Sequence, residues 1–429
     1  MRGTVQDRER KQGGVGMNKK ERVERAERAK GKKAALGEDI AIENFTAGKE
    51  HEEHEPLNSL DEFPEKYQQD LLNAGIEPSE KGRSGSFLQR DCSVVFSAAK
   101  FPGLEIKSTT DALKEHDWLN EYFWRAVPVD ADKYTAELEL DEDQEQTNGY
   151  FIRSEAGRKV TMPVQSCLFI TTEKIGQKVH NIVIAEEGSE LHIITGCSVA
   201  HAVNSALHLG VSEFFVKRGA KITFTMIHNW SRGVEVRPRS AVVIEDDGTF
   251  ISNYILMTPV KSLQMYPTAY CVGRNARATF QTVIYAHGDA RIDSGSRAVL
   301  QGAGSRAEII SRVIATENAK VVARSDVVGE GENAKGHIEC QGLMLSDTAE
   351  VESIPELKAT RRDLVLSHEA AVGKIAEEEI QYLMARGLSE EEATSVIIRG
   401  FLNVDITGLP EALARETKKM FEMSLEKVV

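Results

Sequence analysis

The chain has 429 residues, 41% of them hydrophobic, enough to bury a large core in two or three domains. Its formal net charge of −14 works against nucleic acid or an anionic membrane as the main partner, because a phosphate surface would repel it. Aromatic residues make up only 6%, few for a protein that stacks bases or sugars. The 5 cysteines (Cys92, Cys167, Cys197, Cys271 and Cys340) lie far apart with no C-x-x-C pair, which reads as free thiols of a reduced, cytoplasmic chain. No apolar run reaches the ~18 residues of a membrane span. The N-terminus lacks the apolar core of a signal peptide, and Met17 offers a second candidate start after a polar, Gly-rich lead.

From Met17 to about Ala35 acidic and basic residues interleave, the pattern of a solvated helix held by neighbouring ion pairs. His51 and His54 have a metal-ligand spacing, but their flanks read as polar linker that would not fix the rings, which argues against ligation. Leu60 to Asn73 is expected as an amphipathic helix stopped by Gly75 and Pro78. Asp111 to Trp124 is expected as a second helix, and Asp141 to Gln146 as a mobile acidic loop.

After about Tyr150 short alternating apolar runs recur between small turns such as Glu187-Gly188-Ser189, Asp246-Asp247-Gly248 and Arg274-Asn275-Ala276. Turn centres then fall at 289, 305, 318, 333 and 347, about 14 residues apart. Such a repeat, with Gly, Asn and Asp at its corners and no helices between, is the mark of a β-solenoid; each coil takes two units and covers the apolar face of the last. A β-sandwich also has short strands and turns, but not this sustained spacing.

Past Pro355 and the basic patch Lys358, Arg361 and Arg362, a short extended piece ending at Ser367-His368-Glu369 is expected to lead into an acidic helix. That helix should carry Val372, Ile375, Ile380, Leu383 and Met384 on one face and stop at Arg386-Gly387. Ser389 and Glu392 form a capping box opening a second helix striped by Ala393, Val396, Ile397 and Phe401, and Pro410 opens a last one.

His368-Glu369-Ala370, Gly373-Lys374-Ile375 and the run Arg386 to Ala393 resemble the C-terminal signature of the SufB/SufD family, the scaffold subunits of the SUF iron–sulfur cluster assembly machinery. The resemblance implies a mainly β fold, a right-handed parallel β-helix followed by a helical domain, in agreement with the turn spacing. The expected division is a charged, partly disordered segment over 1–58, a mostly helical region over 59–149, the β-helix over 150–366 and a helical domain over 367–429.

Gly196-Cys197 resembles the family element whose cysteine is implicated in accepting sulfur, which makes Cys197 the candidate acceptor. His228-Asn229-Trp230 resembles the family's Gln-Asn-Trp, so His228 and Trp230 are candidates for a sulfur path, with His228 departing from the pattern. Cys340 precedes His368 by about one coil, so both could fall near one edge of the β-helix. A thiolate, an imidazole and the Glu369 carboxylate form a chemically sensible group for iron or a nascent cluster. That context resembles the cluster-holding cysteine of SufB, although Ser367 stands where SufB carries Glu, and Leu366 where SufD tends to carry Cys. The bland alternatives are a small buried apolar role for Cys197 and a packing role for His368 at the sheet–helix junction. Cys92, Cys167 and Cys271 read as core, and His180, His192, His201, His208 and His287 as packing or surface residues.

No G-x-x-x-x-G-K-[ST] occurs, so the chain has no P-loop for ATP. The resemblance implies that a SufC-like ABC-type ATPase supplies that activity and docks on the helical cap. It further implies pairing as a homodimer or with a paralogous SufB/SufD chain, a sulfur donor protein, and a transient iron–sulfur cluster of the 4Fe-4S type. The expected role is a scaffold and not an enzyme. Two alternatives stay open: a cluster-free, SufD-like structural partner, and a carbohydrate-active β-helix protein, which would need clustered carboxylates and an aromatic groove.

Overall fold

From Tyr150 onward the alternating segments form strands that pair in parallel with the segment one coil away, in the computed structural model that describes residues 17–46, 54–140 and 148–402. Successive coils advance by 28 to 31 residues, so each strand lies beside its counterpart and their side chains stack in columns. Two ten-stranded sheets face each other across the interior, giving a β-solenoid of about 8 turns with helices at both ends of the chain.

The corners explain the Gly and Asn punctuation. Gly188, Gly219, Asp247, Asn275, Gly304 and Asn333 all adopt positive φ at one corner of successive coils, where Gly costs nothing and Asn and Asp little. Asn275 donates through Nδ2 to Asp247 Oδ1 at 3.0 Å, and Asn318 does the same to Asp289 at 3.1 Å on the other corner, tying one coil to the next. At Gly302 a Cβ would lie 1.7 Å from the carbonyl oxygen of Gly273, so the chain can turn only with glycine there.

The region before Tyr150 is more β than its helical pattern suggested. Gly85–Arg90 pairs in parallel with Val164–Ile170 and extends the first sheet, while Leu104–Ser108 caps the second in antiparallel pairing. The two amphipathic segments are shorter than expected: Leu60–Glu62 is a 3-10 turn and Glu65–Asn73 the helix, ended by Gly75 at φ +81°. Thr109–Glu115 stops where His116 turns extended, before the 3-10 segment Asp117–Glu121. Cys92 is not core; it sits half-buried in the turn joining Gly85–Arg90 to Ser93–Ala99.

Lys19–Ala29 is a helix capped by Asn18, but it is docked rather than solvated. Arg22, Ala26 and Ala29 are buried, and Arg22 Nε donates to Glu139 Oε1 at 3.0 Å. His54 is paired with a carboxylate, its Nε2 lying 2.9 Å from Asp91 Oδ2. His51, the acidic loop 141–146 and the helix expected from Pro410 lie outside the described residues.

The last strand runs Val365–Gly373, so Ser367-His368-Glu369 lies inside the sheet rather than at a junction with a helix. The first C-terminal helix is only Glu377–Met384 and buries no residue. Gly387 at φ +98° ends the turn that follows. The capping box is present: Glu392 N donates to Ser389 Oγ at 3.2 Å and Ser389 N to Glu392 Oε2 at 2.7 Å. The stripe of Glu390–Leu402 is rotated from the expected one. Ile398 and Leu402 are buried with Ile314 and Leu343 on the outer face of the sheet; Ala393 is buried and Phe401 packs against that cluster as expected, whereas Val396 is exposed.

Candidate functional site

Alternation along Glu190–Val199 sends Leu191, Ile193, Thr195 and Cys197 into the solenoid. Cys197 is fully buried, and burial pushes its thiol well above the ordinary range, so at neutral pH it is a protonated thiol. Its neighbour on the next coil is His228, and the Tyr150 and Tyr254 phenols also lie in its surroundings.

His228 is buried with Nδ1 2.8 Å from the Tyr254 hydroxyl, while its Nε2 has no partner among the described residues. Trp230, whose ring centre lies 5.2 Å from that of His228, is also buried, and its Nε1 is unpaired. His208 completes the cluster, 5.4 Å from Trp230 by ring centres and 2.9 Å through Nδ1 from Gln177 Oε1. Burial lowers the His208 pKa to about 4 and that of His228 well below the usual imidazole range, further depressed by His208. Two neutral imidazoles, a phenol and an indole N–H therefore line the interior beside Cys197. The structure brings the three sequence candidates Cys197, His228 and Trp230 into one neighbourhood.

Cys340 faces the same interior near the other end. It is buried, with Sγ 3.3 Å from Ser325 Oγ. The coil of Cys340 lies five strand steps from that of Cys197, roughly 24 Å at the usual strand spacing of about 4.8 Å. The column joining the two coils runs Thr195, Met226, Tyr254, Thr282, Ser311, Cys340 by strand register. Opposite it on the second sheet, Ser296 and Ser325 are paired neighbours and both buried. A lane with several hydroxyls and no thiol between its ends thus runs from Cys340 to Thr195, two residues before Cys197 on the inner face of the same strand. Sequence reading missed Tyr254, His208 and this lane, although Thr282, Ser311 and Cys340 recur at the coil period and could have marked it.

His368 pairs with Ile338 and Ala370 with Cys340, so His368 and Cys340 share the inner face of adjacent strands, offset by two residues. Glu369 pairs with Glu339 on the outer face, where Arg312 Nη2 donates to Glu339 Oε1 at 2.7 Å. Cys340, His368 and Glu369 therefore do not converge on one point within the chain. His368 and Glu369 are exposed because Val365–Gly373 is the final strand of its sheet. Cys340 is one strand in from that open edge.

Cys271 also faces the interior, burial pushing its thiol up to about 12, and Cys167 is buried and raised likewise. The one set of His, Cys, Asp and Glu ligand atoms found close together among the described residues is Glu105, Glu115 and His116. There Lys107 already supplies the cation, with Nζ 2.9 Å from Glu105 Oε1 and bonded to Glu115.

Fold and site together define a β-solenoid with a thiol buried in an early coil and another beside its open end. The family model for the SUF system FeS cluster assembly SufBD core domain matches residues 168–401. An iron-sulfur cluster assembly SufBD family protein of Methanothermobacter thermautotrophicus is 50% identical over 404 residues, 94% of this chain and 98% of that one. One of Archaeoglobus fulgidus is 51% identical over 355 residues, covering 82% and 94% of the two chains. The iron-sulfur cluster assembly protein SufB of Bacillus subtilis is 30% identical over 378 residues, covering 86% and 80%. The chain belongs to the SufBD family of the SUF iron–sulfur cluster assembly system. No helix among the described residues is long and apolar enough to cross a membrane.

Proposed function

We propose that this chain is a cytoplasmic scaffold, not itself an enzyme, on which an iron–sulfur cluster of the 4Fe-4S type is assembled and then passed to apo-proteins. The observation that carries the reading is the pair Cys340 and His368 on one face at the open end of the solenoid, joined through the interior to Cys197. Cys197 is the acceptor of sulfur from a donor protein. Its sulfur attacks the outer sulfur of the donor persulfide, the donor leaves as a thiolate, and the Cys197 proton passes to a neighbouring base. His228 is the imidazole beside it, with Nε2 unpaired. Trp230 offers its unpaired N–H to the sulfur chain that results.

At the other end, thiolate is the preferred iron ligand, and one cysteine per chain cannot complete a four-iron site. Cys340 and His368 supply ligands from the inner face, while Glu369 would reach the cluster only around the free edge of its strand. The remaining ligands come from a second protomer. Among the described residues both sheets end in unpaired edges, Glu350–Ala359 and Val365–Gly373, bearing exposed Leu357, Val365 and Val372, and a homodimer or a pair with a paralogous chain would cover them. Anaerobic reconstitution with iron and sulfide, with light scattering on the same sample, tests the reading. A dimer with visible charge-transfer absorption is expected; a colourless strict monomer would overturn it.

The chain has no P-loop, and its helical cap carries three exposed apolar side chains, Tyr382, Met384 and Val396, at 60%, 43% and 49% exposure. We assign the apolar patch of the cap that they mark to a SufC-like ABC-type ATPase. Tyr382→Ala with Met384→Glu should weaken co-purification with the ATPase by roughly 30-fold, the loss of about 2 kcal/mol typical of an interface anchor. Unchanged retention would exclude the patch as the contact.

A further inference from the structure

The second sheet has a gap in its wall. Val236 pairs with Leu263 and Ala241 with Thr268, but the residues between them, 237–240 and 264–267, form no ladder with each other, although 237–240 pair with the preceding coil and 264–265 with the following one. Pro238 lacks an N–H, which accounts for one of the missing bonds. Two guanidinium groups bridge the gap from outside: Arg237 Nη1 donates to the carbonyls of Val236 and Ser262, and Arg239 Nη1 to those of Pro238 and Gln264. Where the coils are held by side chains instead of backbone, the interior behind them is not filled.

A cavity of about 30 Å³ lies there, room for about two water-sized molecules at 10–15 Å³ each. Phe214, Phe224, Phe250 and Phe280 with Met226 and Met265 form its apolar walls, and no charged side chain lines it. Hydroxyls of Ser240, Thr268, Thr282, Ser296 and Tyr254 add weak polar contacts. Such a space rejects an ion, whose desolvation nothing repays, and takes a small, soft, weakly hydrated neutral molecule. It also lies on the lane. Tyr254 touches His228 beside Cys197, and Ser296 and Thr282 lead through Ser325 and Ser311 to Cys340.

We infer that this cavity is a binding site for neutral hydrogen sulfide, held between the two buried cysteines. The identity of the guest rests on the scaffold reading, whereas the cavity and its preference for a neutral guest do not. Binding forms and breaks no covalent bond, so it needs no reductant.

Xenon, a probe of apolar cavities, tests this by ¹²⁹Xe NMR on the purified full chain. A bound-xenon signal is expected, displaced by sulfide below its first ionisation and much less by the same total sulfide above it. Ser296→Leu, or Thr282→Leu from the opposite wall if the first fails to fold, should abolish the signal while the thermal transition persists. Absence of bound xenon in the parent, or a signal untouched by sulfide at either pH, would overturn the site, the latter outcome meaning a cavity for water or inert gas only. Equal displacement at both pH values would overturn the neutral guest. Cluster reconstitution is read separately, so loss of the scaffold reading and loss of this site are distinguishable.

Discussion

Replacing Glu213 by Ala should cost this protein about 3–5 kcal/mol of stability, the range for removing one partner of a buried charged network. The Glu213 carboxylate is fully buried on the outer face of Ala206–Val216. It accepts backbone N–H groups from Trp124 at 2.7 Å, from Val127 at 2.9 Å and from Ala126, and His180 Nε2 lies 2.8 Å away. These bonds fasten the Phe123–Val127 segment to the solenoid, where Trp124 itself adopts φ +59°. Without the carboxylate three N–H groups are buried without an acceptor, each costing about 1–3 kcal/mol before relaxation. Glu213→Gln keeps one oxygen and should lose roughly half as much. Denaturant midpoints of the two variants check this; an Ala variant as stable as the parent would contradict the arrangement.

Acid should weaken the fold well above the range where carboxylates protonate, and His208 is the reason. Its pKa is lowered to about 4 by burial, against about 6.5 in an unfolded chain. Between those values the unfolded state binds more protons than the folded one, so stability rises with pH across the window and is lost on acidification. The shift corresponds to about 3 kcal/mol, fully present at neutral pH and gone near pH 4. His228, depressed for the same reason, adds in the same direction. Asp91, held below its usual range by its bonds to Thr171, His54 and Thr172, loses its contribution only at lower pH, outside this window. Urea midpoints measured from pH 7 to 4.5 should fall steeply for the parent and more gently for His208→Gln. Parallel curves would mean that His208 is not the titrating group.

Much of this architecture was legible in the sequence because a solenoid is local. Each corner needs a residue that tolerates positive φ, and Gly188, Asn275 and Asn333 announce theirs. The capping box at Ser389 and Glu392 and the stop at Gly387 are equally local and appear where expected. What escaped depends on residues distant in the chain. Arg22 looks solvated until Glu139, on another helix, is placed beside it. Glu213 looks like a break in an apolar strand until the segment after Phe123 folds over it.

At the site, the neighbourhood of Cys197, His228 and Trp230 follows from motif order, and the pairing of the Cys340 strand with the His368 strand from the coil length. The position of Glu369 does not follow so simply. Reading a helix from Ala370 places it at a junction, free to turn toward Cys340, whereas the strand continues to Gly373 and alternation carries it to the outer face. The interior hydroxyls were invisible for a different reason. Ser and Thr are common in strands, and only the register shows that Thr282, Ser311 and Cys340 form one column.

The central claim is that Cys340 holds the nascent cluster and Cys197 receives the sulfur for it. Its most direct test is cluster content after anaerobic reconstitution, from inorganic sulfide and from a persulfide-bearing donor protein, for three single variants. Cys340→Ser should lose the cluster from both sources with little change in melting temperature. Cys197→Ser should keep the cluster supplied as inorganic sulfide and lose the one built from the donor. Cys271→Ser, equally buried but off the lane, should match the parent in both. A Cys340→Ser chain that holds cluster as well as the parent while Cys271→Ser loses it would contradict the assignment.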